Sequence, residues 1–178
     1  MATVMKRIGY GQVEPNHLSG IVTGQIYAQL PAAAAIKQLE QGQFAKYDYA
    51  AGEVNFTGDG EFMLVYNEEK LYDERKQHHK DFVYKVGDFT DSKLYPRLIR
   101  TYVGDIMTTN TIAVANTSDS AEVGNVTLTK GDYLSIDATT GFLTSEGTDK
   151  PAEGIVWKVV KEYTMPDGQA GVKLQRVQ

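Results

Sequence analysis

One short motif occurs twice in this chain, and the duplication restricts the fold to architectures built from two copies of one small unit. Residues 39–66 carry Leu39, Gly42, Phe44, Tyr47, Asp48, Gly52 and Val54. Residues 128–157 carry Leu128, Gly131, Tyr133, Ile136, Asp137, Gly141 and Leu143, each 89 residues after its counterpart, as Gly131 is after Gly42. With a further shift of two residues, Leu64, Val65 and Tyr66 fall on Ile155, Val156 and Trp157, so an apolar strand is expected to close each copy.

The spacing inside the motif is that of a hairpin. A Gly opens a short alternating strand, and an Asp then stands four residues before a second Gly. The Asp carboxylate can accept turn amides while the Gly supplies φ > 0 at the end of the loop. Gly42, Asp48, Gly52, Gly131, Asp137 and Gly141 are therefore expected to be structural turn residues. A recurring acid could also be catalytic or ligate a metal, but the turn-completing Gly in both copies favours the turn. Alternation puts Ala45 and Tyr47, or Leu134 and Ile136, on one face and Phe44 or Tyr133 on the other. One face should pack inward and the aromatic face should meet something else.

The chain has 178 residues, enough for one large or two small domains, and its 42% hydrophobic content suffices for packed cores. A formal charge of −5 argues against a general nucleic-acid surface, although Lys93, Arg97 and Arg100 could form a local basic patch. Without cysteine there is no disulfide framework and no thiol chemistry. Lys6 and Arg7 are not followed by an apolar run of signal-peptide length, and nothing later approaches a membrane span, so we expect a protein used without Sec export and without a membrane partner. The Asn-x-Ser/Thr sequons at Asn55, Asn116 and Asn125 are read as Thr- and Asn-rich strands and loops.

Three regions follow along the chain. Residues 1–30 carry several glycines and scattered apolar residues without helical period. They are read as an extended N-terminal arm docking on another chain, the alternative being the first irregular strands of the domain. Ile8, Tyr10, Ile21, Ile26 and Tyr27 are its candidate contacts with capsid or neighbouring subunits, against the alternative that they are ordinary core residues. Residues 31–104 form a first β module, opened by a short helix over 31–39 with Pro31 in its first turn. This module contains a charged insertion at 67–80 and an alternating Phe82, Tyr84, Val86 strand. Residues 105–178 form a second β module, ending in a hairpin in which Val156, Lys158 and Val160 alternate up to Met165-Pro-Asp-Gly168 and Val172 and Leu174 alternate back. The expected fold is mainly β, with two related small β-barrel or β-sandwich-like modules, one short helix and the extended N-terminal segment.

Little in the chain points to catalysis. His78 and His79 beside Asp73, Glu74 and Asp81 are the one group with metal-ligand chemistry, but they lack a His-Glu-x-x-His motif and are read as a solvated, charged face. Gly9-Tyr-Gly11 lacks the third glycine of a dinucleotide fingerprint, and there is no Walker-type Gly-Lys-Ser/Thr or Gly-x-Ser-x-Gly elbow. No cofactor is expected, and a binding or structural role fits better than an enzyme.

The segment Leu-Thr-Lys-Gly131-Asp-Tyr-Leu-Ser-Ile-Asp137 with Gly141, followed by Pro151-Ala-Glu-Gly154-Ile-Val-Trp, resembles the decoration (cement, head auxiliary) proteins of tailed-phage capsids. The resemblance covers about residues 123–178. Residues 39–66 and the following 67–73 are similar to phage structural proteins of the same auxiliary class. The resemblance implies a small β domain on the capsid exterior that bridges major capsid protein subunits, assembles in the bacterial cytoplasm and is commonly trimeric. An arm of thirty residues could span roughly 100 Å if fully extended, enough to cross a capsomer boundary. A neck, tail or host-surface module of the same virion, binding glycan through Tyr and Trp faces, is the alternative.

Overall fold

The computed structural model describes residues 2–24, 30–68, 79–86, 93–114 and 126–178. The N-terminal region contributes β1 (Thr3–Met5), β2 (Val13–His17) and the single-turn helix α1 (Ser19–Val22). The middle region contributes β3 (Gln38–Leu39), β4 (Phe44–Asp48), β5 (Glu53–Asn55), β6 (Met63–Val65), a 3-10 turn at His79–Asp81, β7 (Tyr84–Lys85) and β8 (Leu98–Ile99). The C-terminal region contributes β9 (Ile106–Thr109), β10 (Ile112–Ala113), β11 (Val126–Leu128), β12 (Tyr133–Ile136), β13 (Leu143–Gly147), β14 (Trp157–Thr164) and β15 (Ala170–Arg176). The protein is mainly β, and among the described residues its sheets are open, so the modules are sandwich-like and neither closes into a barrel there.

The duplication extends to individual hydrogen bonds. The hairpin registers match, with Tyr47 opposite Val54 in β4–β5 and Ile136 opposite Leu143 in β12–β13. Gly42 N donates to Val65 O at 3.1 Å and Gly131 N to Val159 O at 2.9 Å. Val65 N donates to Gln43 O and Val159 N to Asp132 O, both at 2.8 Å. In each copy an upstream segment also pairs in parallel with the hairpin's return strand, Ala32 with Val54 and Ile112 with Leu143. The sheet orders are correspondingly β5-β4-β6-β8 and β10-β13-β12-β14-β15, the latter extended by β9 and β2.

These bonds correct the sequence alignment of the closing strand. Val65 corresponds to Val159, not to Val156, because the connection from Leu143 to Trp157 is longer than that from Val54 to Met63. The last hairpin forms where expected, but on β14 the buried residues are Trp157 and Val159, and Val160 is exposed.

Two further expectations are corrected. Residues 31–39 form no helix. Pro31 O accepts from Val54 N and Ala33 N donates to Val54 O, both at 2.8 Å, and Gln38–Leu39 is the strand β3. Alanine favours helix locally but offers little apolar surface to bury, so the unpaired edge of β5 takes this segment up as extended backbone. Nor do the described residues of the N-terminal segment extend as an arm toward another chain; they supply irregular strands of this one. β1 pairs antiparallel with β11, and β2 pairs antiparallel with β9 at the sheet edge. Exposed strand edges present unpaired N–H and C=O groups, and this segment satisfies two of them while burying Met5, Val13 and Leu18.

The modules pack on one another. Phe44, on the face of β4 turned away from Ala45 and Tyr47, lies 6.1 Å from Trp157, centroid to centroid. The aromatic face of the first copy thus meets the core of the second, with Leu64 in the same cluster. Burying a side chain the size of Trp157 removes on the order of 200 Å² from water, about 5 kcal/mol at 25 cal per Å². A second cluster around Leu39, Tyr47, Val54 and Val65 fills the other side of the first sheet. Phe44 N donates to Gly141 O at 2.7 Å, and Thr111 Oγ1 donates to Gln41 O at 2.6 Å. A Cβ on Gly42 would stand 2.7 Å from Thr111 Oγ1, so this position needs glycine for the module contact as well as for its φ of 84°.

A buried polar seam runs beside this contact. Arg7 Nη1 lies 2.8 Å from Glu40 Oε2, both side chains almost fully buried, and Gly11 N donates to the same oxygen at 2.6 Å. Burial draws the Arg7 guanidinium below its usual pKa, and the Glu40 charge and hydrogen bond offset this. Gln41 and Asn67 exchange two hydrogen bonds, of 2.5 and 2.8 Å.

Candidate interaction surface

Gly42, Gly52 and Gly131 lie in turns, Asp48 is the last residue of β4, and Asp137 and Gly141 flank the loop between β12 and β13. Asp48 Oδ1 accepts from Ala51 N at 2.9 Å, and Asp137 Oδ1 accepts from Thr139 N at 2.7 Å and Thr140 N at 3.0 Å. Gly52 N donates to Asp48 O at 2.9 Å and Gly141 N to Asp137 O at 2.8 Å, closing the two loops alike. The bond from Ala51 N, and after it the Asn55 amide, hold the Asp48 carboxyl below its usual pKa. The acids are therefore engaged by the turns they close.

The candidate contact residues of the N-terminal segment do not form one surface. Ile8 is 62% exposed, with its N–H donating to Gln169 Oε1 just before β15 begins, while Tyr10 is half-buried and its N–H donates to Lys80 O at 2.8 Å. Ile21 lies on α1, beside the other end of β15, where Arg176 N donates to Asp105 O. A seven-residue strand is roughly 20 Å long, so Ile8 and Ile21 face different surroundings. Ile26 and Tyr27 lie outside the described residues, as do Asp73, Glu74 and His78. Of the charged group, His79 and Asp81 lie in the 3-10 turn, with Asp81 Oδ1 2.8 Å from Lys80 Nζ. In the basic stretch, Lys93 is exposed and Arg100 is paired with Glu61.

A different surface is built around Asp105. This buried carboxylate accepts from Ser19 N at 3.1 Å and Ser19 Oγ at 2.5 Å through Oδ1, and from Tyr102 N at 2.8 Å through Oδ2. It locks the start of α1 to the turn preceding β9. Gly20 lies so close to Arg100 O that a side chain there would collide with it. Arg176 completes the support, its guanidinium donating to Thr101 O and, at 3.0 Å, to Thr101 Oγ1. Burial lowers the pKa of Arg176, offset by the Asp105 charge.

This framework holds apolar side chains in water. Val22 on α1 is 74% exposed, and Val103, in the turn that Asp105 ties to α1, is 67% exposed; Ile21 and Tyr102 of the same two elements are less exposed. Tyr49, Tyr102 and Val103 line an open groove together with Glu61, Arg100 and Arg176. The surface draws on both modules and on α1. Of its apolar residues the sequence names only Ile21 as a contact, and it names Arg100 only as part of a basic patch. Tyr49 carried a readable signal, since it sits between Asp48 and Gly52, where a hairpin tip must point to solvent. Tyr102 and Val103 lie in the turn that the Asp105 bonds tie to α1, which carries Val22. The arrangement holds apolar and aromatic groups on a rigid support, which suits binding. Comparison with protein-family models, curated proteins and solved structures returns no match.

Proposed function

We propose that this is a structural virion protein that binds the outside of a tailed-phage capsid and stabilises contacts between major capsid subunits, as a homo-oligomer with the trimer favoured. No catalysis and no cofactor enter this reading. The resemblance of residues 123–178 suggests it, and the groove that gathers exposed Tyr49, Tyr102 and Val103, with exposed Ile21 and Val22 on the helix tied to the same turn by Asp105, is the observation that carries it. Apolar side chains fixed in water at the junction of two modules gain burial energy when a partner covers them.

The test is cosedimentation with empty expanded phage heads that lack the protein. We expect saturable binding at a fixed ratio to the major capsid protein. The double variant Val22→Asp/Val103→Asp should keep its circular dichroism and bind at least tenfold more weakly. Absence of binding by the folded wild-type protein would remove the reading.

A neck, tail or host-surface role is the second reading, favoured by the groove that pairs Tyr49 and Tyr102 with the Glu61–Arg100 ion pair. Trp157 is fully buried, so the glycan platform would consist of tyrosines. A rise in melting temperature with oligosaccharide, abolished by Tyr49→Ala, would favour this role over capsid binding.

A further inference from the structure

In the first copy, β3 is flanked by a strand from the same copy. β7 lies between β6 and β8 in sequence and sets Tyr84 opposite Leu39 and Lys85 opposite Gln38. The counterpart of β3 is β11, since Leu128 repeats Leu39. The second copy has no segment to flank it in the corresponding place, because β14 passes directly into β15 through the turn at 165–169. β1 occupies the position, with Thr3 opposite Leu128 and Val4 opposite Thr127, in the antiparallel sense of β7. Among the described residues, the second module is thus one strand short in its own stretch of sequence, and β1 supplies that strand from the far end of the chain.

We infer that the flank of β11 is a strand-accepting binding site whose ligand is an extended peptide, and that residues 3–5 are its resident occupant. Recognition is by β-augmentation, in which main-chain bonds hold the peptide and alternate side chains select it. Met5 is the inward anchor, buried in the cluster that contains Val126 and Leu128, while Val4 points to solvent. The rest of the segment is held in the same non-covalent way, by β2 along β9 and by Ser19 on Asp105. The N-terminal segment therefore behaves as a tethered ligand of the second module, and cutting the tether should leave it bound.

The experiment uses the full-length chain with a protease site inserted between the exposed residues Thr23 and Gly24. After complete cleavage of the folded protein, the N-terminal fragment should co-elute with the remainder in gel filtration at micromolar concentration. A fluorescein-labelled peptide of residues 2–23 should then exchange into the complex with saturable binding. The same peptide carrying Met5→Asp should bind at least tenfold more weakly, and one carrying Val4→Thr should bind like the wild type. Release of the fragment on cleavage would overturn the inference, whether or not the remainder stays folded. Equal binding of the Met5→Asp peptide would overturn it too, by showing that contacts outside β1 hold the segment.

Discussion

Gly52 and Gly141 close the same turn in the two copies, with φ of 67° and 73°, yet their surroundings differ. A Cβ at Gly52 would meet open space, whereas one at Gly141 would run into Phe44 O and stand 2.8 Å from the Phe56 ring. Gly52→Ala should therefore cost only the left-handed backbone penalty, about 1 kcal/mol. Gly141→Ala adds overpacking at the module contact and should cost roughly 2–5 kcal/mol, which urea unfolding of the pair would show. Asp48 sets a pH dependence of definite sign. Its carboxyl is held below the ordinary value, so its contribution is fully present above the unfolded pKa of about 3.9 and is lost as pH falls through the lower folded value. Asp48→Asn should flatten the acid limb of the stability profile, and the Asp48 carboxyl should titrate by NMR below an ordinary aspartate. At this scale the turns were legible because a hairpin loop is a local object: the Asp, the Gly and the amides they satisfy lie within five residues.

The N-terminal strands and the segment at 31–39 belong to a scale at which local signals fail. Nothing in Thr3–Met5 or Val13–His17 announces a strand, and four alanines after Pro31 read as helix. Each was decided by a distant strand edge that would otherwise leave backbone groups unpaired. The link between β1 and β2 shows how firmly this pairing is fixed. Glu40 receives both Arg7 and the Gly11 N–H in a buried site, so Glu40→Ala would strand a buried guanidinium and an amide. Its expected cost is about 3–5 kcal/mol. The double variant Arg7→Met/Glu40→Leu removes both charges and should lie closer to the wild type than Glu40→Ala does, which a double-mutant cycle in urea would reveal. The same competition explains the closing strand: apolar residues at 155–157 look alike to a sequence alignment, and only the hydrogen bonds of Val159 to Gly131 and Asp132 fix the register.

Across the whole molecule, the two copies are neither independent domains nor a symmetric pair. Phe44 and Leu64 belong to the same buried cluster as Trp157, and Arg7 crosses to Glu40, so unfolding one module exposes the core of the other. We expect a single calorimetric transition rather than two. Trp157, the only tryptophan, is fully buried, with no acceptor for its indole N–H among the described residues. Its emission should be blue-shifted, and Phe44→Ala should shift it to the red while costing about 3–5 kcal/mol. By itself the sequence determined the mainly β class, the duplication and the chemistry of its turns, because each is written in spacings of a few residues or in their recurrence. Only the tertiary structure decided that the modules share a core, that the N-terminal segment completes the second of them, and that α1 is tied to the turn holding exposed Tyr102 and Val103. Those outcomes depend on which strand edges and apolar faces are left unsatisfied once the local elements have formed, and such a vacancy appears in no single stretch of sequence.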